Sequence, residues 1–510
     1  MLLANMKWGV DVDLQTYLRL DATAMAELVR KKEVKPIELL QNSFKQLEKV
    51  NKDLNAVTHL RQEKVMEEAE NDRFAGGFFA GVPFFLKDTQ ELAGEKSTVG
   101  ARLLQHNIPR YDANIVKKYR EAGLLFMGIT TTPEFALKNI TEPELYGPTR
   151  NPWNLDYSPG GSSGGSAALV ASGVVPMAGA SDGGGSIRIP ASFSSLFGLK
   201  PTRGRTPVGP GVGRQWHGAA IDFILSRSVR DSAAMLDELQ VIQPEAAFQT
   251  PLYEKSYTEL LNQSFSQPLK IAFTTKSPVD TPVSKDAVIA VERVATWLAD
   301  QGHHVVEQDD NGVDGNQLIM NYFLMNSGEI SSLMQRLERS LGREITADDV
   351  EIETWVLNEV GKRVTAAEFS QSLLAWDVAA WQMARFHEQY DFYITPATAY
   401  PAPKIGELTP TKERSEELLQ KLVKDGPKPA LINEMFLPSL TYTPFTQLAN
   451  LTGQPAMSVP VHLTAEGLPL GVQVIAQKGE EHRLLQLASL LEQSDLWVGM
   501  KGNPYFKNLD

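Results

Sequence analysis

Cysteine is absent from this chain of 510 residues. Its absence excludes disulfide bonds, thiolate metal sites and a cysteine nucleophile, and it fits a reducing compartment. No apolar run approaches the ~18 residues needed to span a bilayer. The N-terminal stretch MLLANMKWGVDVDL also lacks the basic segment, apolar stretch and cleavage site of a secretory signal peptide. We therefore expect a cytoplasmic location.

Large basic patches are also lacking. Aspartate and glutamate outnumber lysine and arginine by 62 to 49, which gives a net charge of −13. This balance disfavours nucleic acid and anionic membranes as partners, because both attract positive charge. Hydrophobic residues make up 42% of the chain and charged residues 22%, as in ordinary globular proteins. The length allows two to four folding units or one large α/β body.

Glycine and serine are concentrated between Gly160 and Pro190, where the chain has the sequence GGSSGGSAALVASGVVPMAGASDGGGSIRIP. Each glycine loses more backbone freedom on folding than any other residue, so such a density needs a reason. Backbone N–H groups that must approach a ligand closely provide one. Serine hydroxyls among these glycines predict a site where backbone donors hold an oxygen and a hydroxyl attacks. The stretch thus indicates a serine hydrolase.

Strands and helices alternate along the chain, which predicts the α/β class. Residues 14–75 are expected to be helical, and an apolar strand over 81–86 leads into Lys87. A β-α-β-like unit is predicted over 270–308, followed by charged helices over 315–390.

The last part of the chain returns to the core. Residues 401–430 are rich in proline and lysine and predict a surface excursion, whereas 455–476 contain two core-like strands joined by a turn. This returning hairpin indicates one body with a central mixed β-sheet covered by helices on both faces. The acidic run at 348–353 is interpreted as a solvated helix start.

A nucleophile and a base can be chosen from the residues themselves. Ser186 follows three consecutive glycines, Gly183, Gly184 and Gly185. Peptide units without side chains let their N–H groups converge on one point, as an oxyanion hole requires. None of the eight histidines has the context of a base. Lys87 follows an apolar run that carries it toward the interior, where burial favours the neutral amine and makes it a candidate base.

Several motifs resemble those of the amidase signature family. They are FFLKD at 84–88, GGSSGGSAA at 160–168, SDGGGSIRIPA at 181–191 and GLKPTRGRTP at 198–207. The resemblance implies a Ser-Ser-Lys triad with Ser186 as nucleophile, Ser162 as bridging serine and Lys87 as terminal base. It also implies a cis peptide bond between Gly161 and Ser162.

The same resemblance implies how the negative oxygen is held and what the enzyme needs. The oxyanion donors would be the N–H groups of Gly183, Gly184, Gly185 and Ser186. No metal and no organic cofactor is required. The expected activity is hydrolysis of a small-molecule amide, linear or cyclic, through an acyl-enzyme, by a monomer or a homodimer. Oligomers of 6-aminohexanoate are among the expected substrates.

One amidase domain is expected over residues 1–510. Its parts would be a helical N-terminal part (1–75), a signature core (76–226), a variable helix-rich part on the substrate side (227–435) and a C-terminal return to the core (436–510). The walls of the substrate pocket are expected from the variable region 315–445.

Within the family, the chain is similar to the 6-aminohexanoate cyclic-dimer hydrolases, which act on nylon oligomers. The similarity rests on TEP at 141–143, YGPTRNPWN at 146–154, and GR at 342–343 followed by ITADDVEIETW at 345–355. By position, Asn326 stands where members of that group can carry a pocket cysteine. Tyr146, Gly161 and Asn326 are the candidate substrate contacts, with Trp216 as a further pocket candidate.

Other interpretations remain open at this point. Ser162 and Ser163 each fit the G-x-S-x-G pattern of an α/β-hydrolase, which would also need a well-placed histidine. A phosphate loop would need the absent GK[ST] signature. The amidase subunit of a glutamine-dependent tRNA amidotransferase and a catalytically silent amidase-like binding protein are the alternative functions. Asp182 and Arg188 are interpreted as structural residues.

Overall fold

The computed structural model describes residues 12–71, 74 and 76–507. Most of the N-terminal stretch MLLANMKWGVDVDL, which lacks the features of a signal peptide, therefore lies outside the described residues. Within them, no helix combines the length and the apolar character that crossing a bilayer requires.

Eleven strands form in the described residues. They are β1 (Val57–Leu60), β2 (Pro83–Lys87), β3 (Leu125–Thr130), β4 (Met177–Asp182), β5 (Phe197–Lys200), β6 (Ile221–Ser226), β7 (Lys270–Phe273), β8 (His304–Glu307), β9 (Phe392–Pro396), β10 (Ala456–Leu463) and β11 (Pro469–Ala476).

Sixteen α-helices accompany them. They are α1 (Leu14–Arg19), α2 (Ala22–Arg30), α3 (Pro36–Leu54), α4 (Gln62–Glu70), α5 (Asn114–Glu121), α6 (Gly164–Ala171), α7 (Arg188–Ser194), α8 (Val229–Leu239), α9 (Lys285–Asp300), α10 (Gly315–Leu341), α11 (Ile352–Gly361), α12 (Ala366–Phe386), α13 (Lys412–Asp425), α14 (Pro429–Tyr442), α15 (Gln447–Thr452) and α16 (Glu481–Glu492).

The central sheet has eight strands in the order β4-β6-β5-β10-β11-β9-β7-β8. Pairs from β4 to β9 are antiparallel, whereas β9, β7 and β8 run parallel to one another. The prediction of an α/β fold with a mixed central sheet flanked by helices is therefore confirmed. The parallel pair β7 and β8, joined through α9, is the predicted β-α-β-like unit.

A smaller sheet has the order β1-β3-β2, and its strand β2 packs beside β4 of the central sheet. All five residues of β2 are buried, as the apolar run before Lys87 predicts. Because β2 ends at Lys87 and β4 ends at Asp182, the two strands place the lysine next to the triple-glycine loop. This arrangement positions the site.

Two predictions about local structure are wrong. Residues 14–75 are not all helical, because α3 ends at Asn55 in the left-handed region and the next residues pair with β3 as β1. Residues 401–430 contain a regular helix, α13, which begins at the N-cap Thr411. That helix buries Leu418 and Leu422 and therefore belongs to a core.

The molecule has two main apolar clusters. The larger one surrounds the central sheet and includes β2, β4 and α6. The second cluster, which we call the helical cap core, lies among α10, α11, α13 and α14 and includes Ile330, Leu357 and Ile432. Residues Phe135 and Ala101 from the segment after β2 and β3 also belong to it. The cap core thus meets the chain close to the predicted site.

Candidate active site

Lys87 and Ser162 form a buried hydrogen-bonded pair. The Lys87 Nζ donates to Ser162 Oγ at 2.7 Å and to Ser181 Oγ at 2.8 Å. Neither Lys87 nor Ser162 is more than 1% exposed. Asp88 does not pair with Lys87, because its carboxylate accepts instead from the backbone and hydroxyl of Thr98. The lysine is therefore committed to two serine hydroxyls.

Burial also sets the charge of this lysine. It lowers the pKa of the Lys87 ammonium from 10.5 to about 7, while the carboxylates of Asp222 and Asp182 oppose that change. Near pH 7, Lys87 is then a neutral amine in a large fraction of the molecules, and a neutral amine can accept a proton. The geometry and the protonation state both suit a general base.

The glycine loop after β4 is held by a buried ion pair. Asp182 Oδ2 accepts from Arg188 Nε at 2.9 Å, and its Oδ1 accepts from the second guanidinium nitrogen and from Asn450 Nδ2. Burial by itself raises the pKa of the Asp182 carboxyl, but the Arg188 charge holds it well below its usual range. Arg188 also donates to Gln473 Oε1 and to the carbonyl of Thr446. Asp182 and Arg188 thus hold the glycine loop in place, which agrees with their interpretation as structural residues.

The oxyanion prediction needs one correction. The N–H of Gly185 donates to Asp182 Oδ1 at 2.7 Å, so this donor is already used inside the loop. Gly183, Gly184 and Ser186 line a cavity, and their N–H groups remain the candidates. The carbonyl of Gly184 accepts from Thr446 Oγ1 at 2.6 Å, which turns the peptide plane and fixes it.

Ser162 and Ser186 line the same cavity. The peptide bond between Gly161 and Ser162 is cis, as the resemblance implies. Ser162 is fixed further because its carbonyl accepts from Thr132 Oγ1 at 2.8 Å. Within the described residues, no hydrogen bond joins the Oγ atoms of Ser162 and Ser186, and Ser186 is only partly buried. Ser186 is therefore the more accessible of the two serines.

The cavity has a volume of about 410 Å³. Both serines and the glycine loop line it, and most of its remaining wall is apolar. The apolar wall residues are Val99, Leu104, Phe135, Leu137, Ile189, Trp216, Phe323, Leu333, Leu357, Phe436 and Leu440. Five of these eleven residues come from α10, α11 and α14, and the other six lie between residues 99 and 216. The wall is therefore shared between the variable helices and the signature core.

The three candidate substrate contacts have different positions. Asn326 lines the cavity, and its Oδ1 accepts from Trp216 Nε1 at 2.7 Å. Gly161 is buried behind Ser162, where a Cβ would lie 2.4 Å from the carbonyl oxygen of Ile140. Tyr146 is not among the residues that line this cavity, and its ring lies 6.0 Å from the Lys96 ammonium. Of the three, only Asn326 is placed to touch a ligand in the cavity.

Sequence reasoning missed several residues that build the site. Ser181 contacts Lys87, Thr446 contacts Gly184, and Asn450 donates to the carbonyl of Asp182. Ser181 is the first residue of the motif SDGGGSIRIPA, and its place near the end of a buried strand was an available signal. Nothing local marks Thr446 or Asn450, because they lie far along the chain from the glycines they hold.

The acidic run at 348–353 is not simply a solvated helix start. Glu351 and Glu353 are buried, and Glu353 pairs with Lys138 at 2.8 Å. Glu134 Oε1 accepts from the backbone of Glu351 and from Thr354. Burial raises the pKa of Glu134 to about 8 and that of Glu351 to about 7, each with help from a neighbouring carboxylate. These contacts attach α11 to the segment after β3.

Comparison with known proteins gives consistent matches. A family model described as Amidase matches residues 38–485. Lipoamidase from Enterococcus faecalis is 39% identical over 94% of this chain, and the chain spans 64% of that protein's length. The 6-aminohexanoate-cyclic-dimer hydrolase from Paenarthrobacter ureafaciens is 36% identical over 94% of this chain and 96% of its own.

A solved structure of 6-aminohexanoate cyclic dimer hydrolase complexed with substrate is also similar. It matches with a TM-score of 0.84 and 34% identity, and it covers 97% of this chain and 98% of its own. The family model spans most of the chain, and the hydrolase from Paenarthrobacter ureafaciens matches it over nearly its whole length. This chain therefore belongs to the amidase signature family and is an amide-cleaving hydrolase.

Proposed function

We propose that Ser186 is the nucleophile of this amidase, Ser162 its proton relay and Lys87 its base. One observation carries the assignment. The buried Lys87 Nζ donates to Ser162 Oγ at 2.7 Å, while Ser162 and Ser186 line one cavity. A lysine whose pKa is about 7 can take up the proton that the attack releases.

The first half of the reaction forms an acyl-enzyme. Ser186 Oγ bonds to the amide carbon as its proton passes to Ser162 Oγ, and the proton of Ser162 passes to Lys87 Nζ. The carbonyl oxygen becomes negative and accepts from the N–H groups of Gly183, Gly184 and Ser186. The C–N bond then breaks as the nitrogen takes a proton back through Ser162.

The second half reverses these roles with water. Water bonds to the acyl carbon and gives a proton to the same relay, and the bond from carbon to Ser186 Oγ breaks. Carboxylic acid and free Ser186 result, so atoms and charge balance without a metal or an organic cofactor. The relay of Lys87 and Ser162 acts once in each half.

The wall of the cavity supports a substrate class. Apart from the two serines and the glycine loop, most of the lining consists of aliphatic and aromatic side chains such as Phe323, Leu357 and Phe436. Burial of apolar surface contributes roughly 25 cal/mol per Å², so such a wall favours an apolar acyl chain. We propose amides of aliphatic acyl groups as substrates. The cyclic dimer of 6-aminohexanoate, which the name of one relative specifies, is a candidate within that class.

The triad is tested with hexanoyl butylamide and Ser186→Ala. We expect loss of turnover and loss of the acyl adduct that mass spectrometry detects on the wild-type protein. Ser172→Ala is the matched control, because Ser172 is a buried serine that bonds to the carbonyl of Leu169 outside the cavity. Full activity of Ser186→Ala, or an adduct on another residue, would refute the assignment.

The same assay addresses the alternative functions. Turnover by the purified chain alone, without glutamine or partner subunits, contradicts the amidotransferase interpretation. Absence of an acyl adduct with every amide tested would favour the catalytically silent binding protein. One amidase domain over residues 1–510, a cytoplasmic location, and a monomeric or homodimeric state also remain proposals.

A further inference from the structure

The reaction cavity contains one carboxylate that has no cationic partner. Two of the residues that line it carry a formal charge, Glu91 and Lys138. Lys138 is neutralised by Glu353 at 2.8 Å and by Glu351 at 3.7 Å. Glu91 takes part in no ion pair within the part of the chain that the structure describes. It is therefore the uncompensated charge of the wall.

Glu91 also marks the open side of the cavity. It is the one exposed residue among those that line the cavity, whereas Phe135, Leu357 and Leu440 are buried. Its backbone is fixed, because its carbonyl accepts from the N–H of Ala113 at 2.8 Å. Glu91 therefore lies where the cavity meets solvent.

The order of bond breaking decides which part of the substrate meets this carboxylate. In the proposed reaction the amine departs while the acyl group is still bound to Ser186, and water must then enter. Both movements need the open side. The amine part of the substrate therefore occupies the side where Glu91 lies, and the acyl chain occupies the interior.

We propose that Glu91 selects the leaving amine, favouring one that carries a second, positively charged amino group over one that carries a carboxylate. This inference rests on the proposed function and names the substrate class on its amine side. An ammonium group near Glu91 gains an ion pair, whereas a carboxylate there meets a like charge.

Another residue that lines the cavity supports the same sign of charge. Gln215 lines the cavity and donates from Nε2 to the buried Asp222 Oδ2 at 3.0 Å, so its amide oxygen is the free end. That oxygen is an acceptor and suits N–H donors. Burial raises the pKa of the Glu91 carboxyl, and no cation opposes this. A bound ammonium would supply the missing partner.

The test uses three hexanoyl amides that differ only at the far end of the amine. They are the amides of putrescine, butylamine and γ-aminobutyrate, which are cationic, neutral and anionic. We expect kcat/KM of the wild type to fall in that order, by about tenfold from cationic to anionic. In Glu91→Gln the three values should converge, with the neutral amide changed less than about twofold.

Charge reversal and a matched control sharpen the result. In Glu91→Lys the order should invert, and added salt should reduce the wild-type preference. Glu121→Gln removes the same charge from the exposed helix α5 and should leave the order intact. Cleavage of the butylamide with an unchanged order in Glu91→Gln overturns this inference alone. No turnover of any of the three amides overturns the proposed function and this inference with it.

Discussion

Activity is expected to depend on one ionisation near pH 7, that of Lys87. The base must be neutral to accept the proton of Ser162, and burial lowers its pKa from 10.5 to about 7. Below that pH the ammonium form dominates, so kcat/KM should fall about tenfold for each pH unit. Above it kcat/KM should reach a plateau.

The magnitude follows from the size of the pKa change. Slightly above pH 7, about half or more of Lys87 is neutral, whereas a lysine of ordinary pKa would be neutral in about one molecule per thousand. Burial of this side chain therefore increases the active fraction of the enzyme by about a thousandfold. The assay is kcat/KM for a neutral amide, such as hexanoyl butylamide, over a range of pH.

Two variants test the physical cause. Asp222→Asn removes a carboxylate that raises the pKa of Lys87, so the acid limb of the profile should move to lower pH. Lys118→Met is the control, because Lys118 lies on α5 and pairs with Glu121 at 2.9 Å. A wild-type limb near the pKa of an ordinary lysine would refute the argument. So would an acid limb in Asp222→Asn that moves to higher pH.

Stability provides a second measurement of the same ionisation. The unfolded chain keeps the Lys87 proton up to pH 10.5, whereas the folded chain loses it at about 7. Between these two pH values the unfolded state binds more protons than the folded state, so the free energy of unfolding rises with pH. The gain is complete above pH 10.5 and is lost as the pH falls to about 7. Relative to Lys87→Met, the wild type should gain up to about 1.4 kcal/mol per pH unit as pH rises. Parallel stability curves for the two proteins would contradict this expectation.

Three further substitutions have expected outcomes. Gly161→Ala should abolish activity and lower the melting temperature, because a Cβ would lie 2.4 Å from a backbone oxygen, whereas Gly76→Ala meets nothing within 4 Å and should be neutral. Arg188→Met should destabilise by about 3–5 kcal/mol in urea unfolding, because Asp182 stays buried without its partner. Leu357→Trp should fill the interior and reduce kcat/KM for hexanoyl amides more than for acetyl amides, and equal losses would contradict an apolar acyl site there.

Much of the fold follows from local patterns. The apolar run before Lys87 predicts a buried strand, and β2 is buried at every position. The returning hairpin at the end of the chain predicts β10 and β11, which pair in the middle of the central sheet. In contrast, β1 is a short strand of four residues, and pairing with β3 decides its state. Because the sequence on both sides of β1 has a helical pattern, the sequence alone does not indicate such a short strand.

The site was predictable where its chemistry depends on neighbours in the sequence. Ser186 and its glycines are adjacent, and Lys87 needs only the apolar residues before it. The use of the Gly185 N–H by Asp182 also had a local signal, because aspartate often accepts from the backbone three residues on. The burial of Glu351 and Glu353 had none, since their partner Lys138 lies far away in sequence. Patterning alone treats such acids as solvated.

The two apolar clusters separate chemistry from selection. Lys87 and the glycine loop are held by β2, β4 and the buried Asp182–Arg188 pair, all of which rest on the sheet core. The apolar wall belongs largely to the helical cap core, in which α10, α11 and α14 supply five of the eleven wall side chains. A substitution in the cap can reshape the acyl site without moving the relay, because the two sets of contacts share few side chains. The signature residues therefore identify the reaction, whereas the substrate must be inferred from the cap and from Glu91 at the open side.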